Sequence, residues 1–195
     1  MTVGEAPSKD ALRAKLVKLL NKYHGQDSAD DARAQKIRDL VNTVPECASR
    51  ACYPAHLTGS AWIVNASGSR VLLMHHVKLA RWLQLGGHAD GNLDLQGVAW
   101  NEAREESGLL SVRPLMNEVF DVDIHTIPPR EVEPEHLHYD IRFVFFADEQ
   151  EPLEKNREAH ALAWVSLDQL EEYTHEPSVL RMREKWQTVP GKPVS

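Results

Sequence analysis

Long apolar runs are missing from this 195-residue chain, and none approaches the about 20 residues that a membrane-crossing helix needs. The opening MTVGEAPSKDALRAKL lacks the apolar centre of a secretory leader. The expectation is a cytoplasmic protein with no membrane partner. Cysteine is scarce: Cys47 and Cys52 are the whole complement. Zinc ribbons need two closer pairs, and a disulfide between these two needs geometry the sequence does not supply, so they read as reduced thiols. An excess of positive charge is missing too. Lys and Arg number 22 against 29 Asp and Glu, for a net charge of −7, which argues against a surface for duplex nucleic acid. No internal repeat is visible. The length suits one ordinary domain with an addition.

That addition lies in front. Residues 8–24 read as an amphipathic helix, capped by Ser8 or Asp10, with Leu12, Leu16, Leu19 and Leu20 as its stripe. Residues 29–43 read as a second, with Ile37, Leu40 and Val41 on the apolar side, ended by Pro45. Residues 1–50 are therefore read as a helical extension, and 51–195 as the main domain. From residue 57 the pattern becomes one of strands. Residues 57–64 and 70–76 read as a hairpin around the turn Asn65-Ala-Ser-Gly-Ser. Residues 112–124 read as one long strand or two interrupted ones, 138–146 as a strong strand, and 160–167 as a last one. Between them lie a proline-rich loop at 127–135 and a charged loop at 148–158. Pro177 suits the first turn of a final helix over 177–187, and the tail GKPVS reads as frayed.

The chain is organised around residues 86–109, GGHADGNLDLQGVAWNEAREESGL. Two glycines and a polar turn lead into a helical pattern that stops at Gly108, a residue type suited to the left-handed position after a helix. Leu95, Val98, Ala99 and Ala103 make one apolar side. Glu102, Glu105 and Glu106 fall at positions i, i+3 and i+4, on one face. Crowding three carboxylates there is unfavourable unless something cancels their charge. A hard divalent cation with oxygen ligands does so well. The bland alternative is a solvated acidic face, and the preceding glycines, which let the backbone approach a metal or phosphate closely, weigh against it.

This stretch resembles the Nudix box, G-x5-E-x7-R-E-U-x-E-E-x-G-U, where U is a bulky aliphatic residue. Gly87 lies on the first glycine, Glu102 on the E of R-E, Glu105 and Glu106 on the E-E pair, Gly108 on the last glycine and Leu109 on the final U. The resemblance implies an α/β fold, the Nudix α/β/α sandwich with a mixed β-sheet. It also implies a Mg²⁺- or Mn²⁺-dependent pyrophosphohydrolase that cuts a diphosphate linkage in a nucleoside diphosphate joined to another moiety. Three positions depart from the box. Leu93 stands where the first glutamate belongs, Asn101 where the arginine belongs, and Ala103 in place of a bulky aliphatic. In the family the glutamate and arginine usually pair. Losing both strands no lone buried charge. Asp94, one position late, reads as a helix N-cap.

By the same resemblance, Glu102, Glu105 and Glu106 are the metal ligands and catalytic carboxylates, with the Gly86 carbonyl as a further ligand. Some relatives draw the general base from the loop before the last strand, where Glu158 and Glu154 lie. His136, His138, Asp140 and Arg142 alternate and so share a face if the strand is continuous. Such a face suits a pocket wall, and two histidines at i, i+2 can also bind a metal such as Zn²⁺. Arg142, Arg130 and His138 are the candidates for substrate binding, because guanidinium groups grip phosphate bidentately. The partner expected is a small-molecule nucleotide, and a symmetric homodimer is the default assembly.

Two other functions remain open from the sequence. Losing the box glutamate and arginine suits a non-catalytic nucleotide-binding or regulatory module. Gly86-Gly87-His88 is similar to the Cys-Gly-His turn of isopentenyl-diphosphate isomerase, but Gly86 occupies the cysteine position and removes its acid–base group.

Overall fold

The computed structural model describes residues 7–130 and 133–191. Two helices, α1 (Lys9–Lys22) and α2 (Ser28–Thr43), lead into β1 (Ala55–Val64), β2 (Arg70–His76), β3 (Arg81–Leu83) and β4 (Leu85–His88). Then come α3 (Leu95–Ser107), β5 (Arg113–Pro114), β6 (Asp121–Ile127), β7 (His136–Phe146) and β8 (Ala159–Ser166). After a short 3₁₀ turn the chain closes with α4 (Leu170–Tyr173) and α5 (Pro177–Thr188). The expected fray of the tail concerns residues that, apart from Gly191, lie outside those described.

The strands form one mixed, eight-stranded sheet. Every residue of β1 is buried, as suits a strand covered on both faces. The expected β1–β2 hairpin forms only at its closed end. Val64 pairs with Val71, where Asn65 Oδ1 accepts from the backbone of Ser69 and Arg70 at 3.0 and 3.1 Å, and then the strands part. β1 instead runs parallel to β7 in continuous register from Ala55↔Leu137 to Val64↔Phe146. On its other side β4 pairs antiparallel, from Thr58↔His88 to Ala61↔Leu85. β2 pairs with β8 and β3, and β6 with β7. The span 112–124 thus divides into two strands, β5 and the start of β6, separated by residues 115–120.

Helices cover both faces. Leu57, Ala61 and Ile63 of β1 and Phe143 and Phe145 of β7 pack with Leu95, Ala99 and Ala103 of α3 in one core, which also takes in Leu16 and Leu20 of α1 and Ile37 and Val41 of α2. Gly59 admits α3: a Cβ there would lie 2.8 Å from the Leu95 carbonyl oxygen. On the opposite face Trp62, Val64 and Val144 pack with Val179, Met182 and Trp186 of α5. The β1–β7 face that is apolar at this end becomes polar toward the strand starts, where the candidate site lies.

Of the two cap candidates for α1, Ser8 is the cap, its Oγ accepting from Ala11 N at 3.2 Å, and Asp27 caps α2, accepting from Asp30 N at 2.8 Å. A buried ionic network ties these helices to the sheet. Lys185 of α5 donates to Tyr23 Oη and to the carboxylates of Asp30 on α2 and Asp121 on β6. Asp121 also accepts from Arg142 at 3.0 Å and Arg181 at 2.9 Å. Burial works to raise the Asp30 and Asp123 carboxyls, but Lys185 lowers Asp30, and His125, Arg142 and Arg181 lower Asp123, leaving both below the usual range. No helix among the described residues is long and apolar enough to cross a membrane.

Candidate active site

The site begins where β4 hands the chain to α3. Gly86 has φ +154°, and a Cβ on it would strike Ser60 Oγ, so only glycine fits. Its N–H donates to the Glu106 carboxylate at 2.9 Å. Gly87 carries the Glu102 carboxylate against its bare Cα: a Cβ there would lie 2.5 Å from that group. The paired glycines thus hold the turn of β4 directly against two carboxylates of α3. Gly108, at φ +75°, ends that helix, its N–H bonding the Arg104 carbonyl at 2.8 Å.

The three box glutamates have different environments. Glu106 is 2% exposed, Glu102 is half-buried and Glu105 exposed. Burial raises Glu102 to about 7, helped by the charges of Glu105, Glu158 and Asp90. Burial also raises Glu106 to about 8, against the Gly86 hydrogen bond and with the help of Glu102 and Glu158. These are carboxylates that cannot all ionise together unless a cation joins them. A hard oxygen donor set with unrelieved negative charge is what Mg²⁺ or Mn²⁺ requires, so the residues present fit the ion that the box implies.

A cavity of about 300 Å³ opens beside them, bounded by Gly86, Gly87, Glu102 and Glu158 on one side and by His88, His125, His136, His138 and Asp140 on another. Asp140 is buried and accepts from Thr58 Oγ1 at 2.9 Å, Ser60 Oγ at 2.8 Å and Arg142 Nε at 2.7 Å. Burial, aided by Arg50 and His56, pushes His88 down to about 4. Burial, aided by His88 and His125, pushes His138 down to about 2. Both imidazoles are neutral across ordinary pH.

Glu158, in the turn immediately before β8, lines this cavity, and so do Arg130 and His138. Glu154 does not line it; its Cβ lies against Gly108 at the far end of α3. Arg142 is placed differently from the expectation. It does share the face of His138 and Asp140, but it is 1% exposed and its guanidinium is committed to Asp121 at 3.0 Å, Asp123 at 3.3 Å and Asp140 at 2.7 Å. α5 covers it, the Ser178 carbonyl accepting at 3.3 Å. A phosphate has no approach to it. Asp94 stands at the N-cap position of α3 but makes no side-chain cap; its carboxylate pairs with Lys15 of α1 at 2.9 Å. Leu93, in the box glutamate's place, is 2% exposed in the main core, and Asn101 is exposed. Apolar packing has replaced an ion pair, with no charge left unmatched.

Sequence reasoning missed Arg50 and Lys78, both of which line the cavity. Arg50 grips Asp90 through two bonds of 2.6 Å. It also missed His56, which belongs to no local motif and reaches the site only because β1 lies beside β7.

Comparison with known proteins places these features. A family model described as the NUDIX domain matches residues 55–185, so α1 and α2 lie ahead of the matched stretch. A C. elegans Ap4A hydrolase in a binary complex shares the fold at 12% identity and TM-score 0.57, over 67% of this chain and 94% of that one. A NUDIX-family hydrolase from Clostridium perfringens does so at 26% identity and TM-score 0.50, over 68% and 96%. The M. smegmatis Nudix hydrolase RenU does so at 22% and 0.51, over 69% and 88%. No curated protein matches the sequence.

Proposed function

The chain belongs to the NUDIX family of hydrolases, and on that premise we propose that it is a Mg²⁺- or Mn²⁺-dependent pyrophosphohydrolase acting on a nucleoside diphosphate joined to another moiety. The observation that carries this reading is Glu102 on Gly87 at the wall of a cavity, with Glu106 buried beside it on the Gly86 N–H and a further carboxylate, Glu158, on the same cavity. Glu102, Glu106 and the exposed Glu105 would hold the ion, with the Gly86 carbonyl beside them. The ion would neutralise charge on the phosphoryl oxygens. Arg130, Arg50 and Lys78 supply the cationic groups for the remaining phosphate charge. Glu158 accepts the proton of the attacking water as its oxygen bonds to phosphorus and the bridging P–O bond breaks, releasing the other phosphate as leaving group. Gly86 carries no acid–base side chain and has no room for one, which counts against isomerase chemistry.

The test is release of phosphate or nucleoside monophosphate from nucleotides, nucleotide sugars, ADP-ribose and dinucleoside polyphosphates, with Mg²⁺, Mn²⁺ or EDTA. Metal-dependent release from one class supports the proposal and names the substrate. No release from any, by folded protein that binds Mn²⁺, rejects it for that panel.

Glu158→Gln is expected to lower kcat by about 10²–10³-fold with little change in KM, the range for loss of a general base. A kcat within a few-fold of wild type would assign the base elsewhere.

Metal binding should also be visible in stability. Glu102 and Glu106 are raised to about 7 and about 8 in the folded protein, above their ordinary value. The metal-free folded state therefore holds more protons than the unfolded chain, and these two groups cost it stability as pH rises toward 8. Mn²⁺ competes with those protons. Its stabilising Tm shift should thus be larger at about pH 8 than at about pH 6, as linkage requires. Thermal melts at both pH values, with and without Mn²⁺, check this; an equal shift would place the ion away from these carboxylates.

A further inference from the structure

We propose that His56, His136 and His138 form a second metal site, selective for a divalent transition ion of the Zn²⁺ class and separate from the glutamates. The sheet register assembles it. His56 of β1 lies opposite His138 of β7 in the parallel ladder, and His138 lies opposite His125 of β6 in the antiparallel one. His136, two residues before His138, shares its face. The ring centroids of His56, His136 and His138 stand 4.9, 5.0 and 5.2 Å apart, and one ligand atom from each falls within 4.8 Å of the others.

The hydrogen bonds aim these rings. His136 Nδ1 lies 2.9 Å from the Pro134 carbonyl oxygen and His56 Nδ1 lies 3.3 Å from that of Cys52. A carbonyl only accepts, so each Nδ1 bears the proton and each Nε2 presents a lone pair. Fixing a ligating imidazole through its other nitrogen is the usual support of a histidine metal site. His56 Nε2 is buried without a hydrogen-bond partner among the described residues, in a residue 1% exposed. The Nε2 atoms of His136 and His138 are 3.3 Å apart, and the edge of a tetrahedron with Zn–N bonds of about 2.0–2.1 Å is also about 3.3–3.4 Å.

Imidazole favours Zn²⁺, Co²⁺ or Ni²⁺, whereas carboxylate and carbonyl oxygens favour Mg²⁺ and Mn²⁺. Two walls of one cavity thus offer chemically distinct sites. Three protein ligands leave a coordination position free, the pattern of zinc sites that take a water or substrate oxygen. His138 and His136 both line the cavity, so that position is within reach of a bound phosphate or sugar oxygen.

The probe is Co²⁺, titrated into the chelator-stripped full-length chain. One equivalent should bind with the intense visible bands of a four-coordinate site, displaced by Zn²⁺ but not by excess Mg²⁺. His136→Gln and His138→Gln should each weaken binding by about a hundredfold, at the upper end of the losses seen even for outer partners of metal ligands. Glu106→Gln should leave the bands intact, which separates this site from the hydrolase reading. Absence of the bands, their displacement by Mg²⁺, their survival in the double histidine variant or their loss in Glu106→Gln would each overturn the proposal. X-ray absorption of the Zn²⁺-loaded wild type decides the matter without any variant: nitrogen neighbours at about 2.0–2.1 Å support it and an oxygen-only shell overturns it.

Discussion

Replacing Glu106 by glutamine should lower metal-dependent turnover by about a thousandfold, roughly 4 kcal/mol of barrier, as expected when a charge that holds the catalytic ion is removed. The substitution isolates charge from shape. The glutamine Oε1 can still accept the Gly86 N–H that now bonds the carboxylate at 2.9 Å, so the junction of β4 and α3 keeps its hydrogen bond. Fold and function should respond in opposite directions. Glu106 is buried and raised to about 8, and without metal its ionised form is a burden on the folded state. The metal-free variant should melt at the wild-type temperature or above it at about pH 8, because the neutral amide avoids that burden. It should also lose the Mn²⁺-induced rise in Tm. Turnover within a few-fold of wild type would remove Glu106 from the metal site. A loss of turnover together with a fallen melting temperature would point to misfolding instead.

The largest stability effect is expected at Asp121. Its side chain is fully buried and meets three cations: Arg142 at 3.0 Å, Arg181 at 2.9 Å and Lys185 at 2.5 Å. Asp121→Ala leaves those cations short of their shared partner in a place where water cannot replace it, and removal of one member of such a buried set costs about 3–5 kcal/mol. For a chain of this size that is a fall in Tm of roughly 6–20 °C. Asp121→Asn, which keeps an acceptor, should cost less. Urea unfolding followed by circular dichroism measures both. A cost below about 1 kcal/mol for the alanine variant would mean that the cations find other partners or water. The same network makes an acid prediction. Asp30 and Asp123 are held below their ordinary values, so the stability they contribute is present above about pH 4 and is lost as pH falls further.

The glutamate face and the helices were legible because both are written in local spacing. The i, i+3, i+4 pattern that predicts a carboxylate face needs only one helix, and the glycines that support it lie within the same stretch. What the pattern could not show is that the three glutamates differ: Glu106 is buried against Gly86 while Glu105 is exposed. The hairpin of β1 and β2 was legible at its turn, where Val64 pairs with Val71. Beyond that pair β1 is buried along its whole length and also takes β4 and β7 as neighbours, which the local pattern does not show.

Arg142 and His56 mark where local reasoning stops. Alternation along β7 correctly placed His136, His138, Asp140 and Arg142 on one face. It could not reveal that this face meets the cavity at His138 and passes beneath α5 by Arg142. His56 has no second histidine within its own stretch of chain, and only the parallel register, which sets it opposite His138, brings it to His136 and His138. The sequence by itself determined the helices, the strands and the glycine–glutamate turn, because these depend on contacts between near neighbours. The tertiary structure alone decided which charges face the cavity and which are sealed in the ionic network. Burial and register are set by segments far apart in the chain, and they determine whether a guanidinium or imidazole meets a ligand or a buried carboxylate.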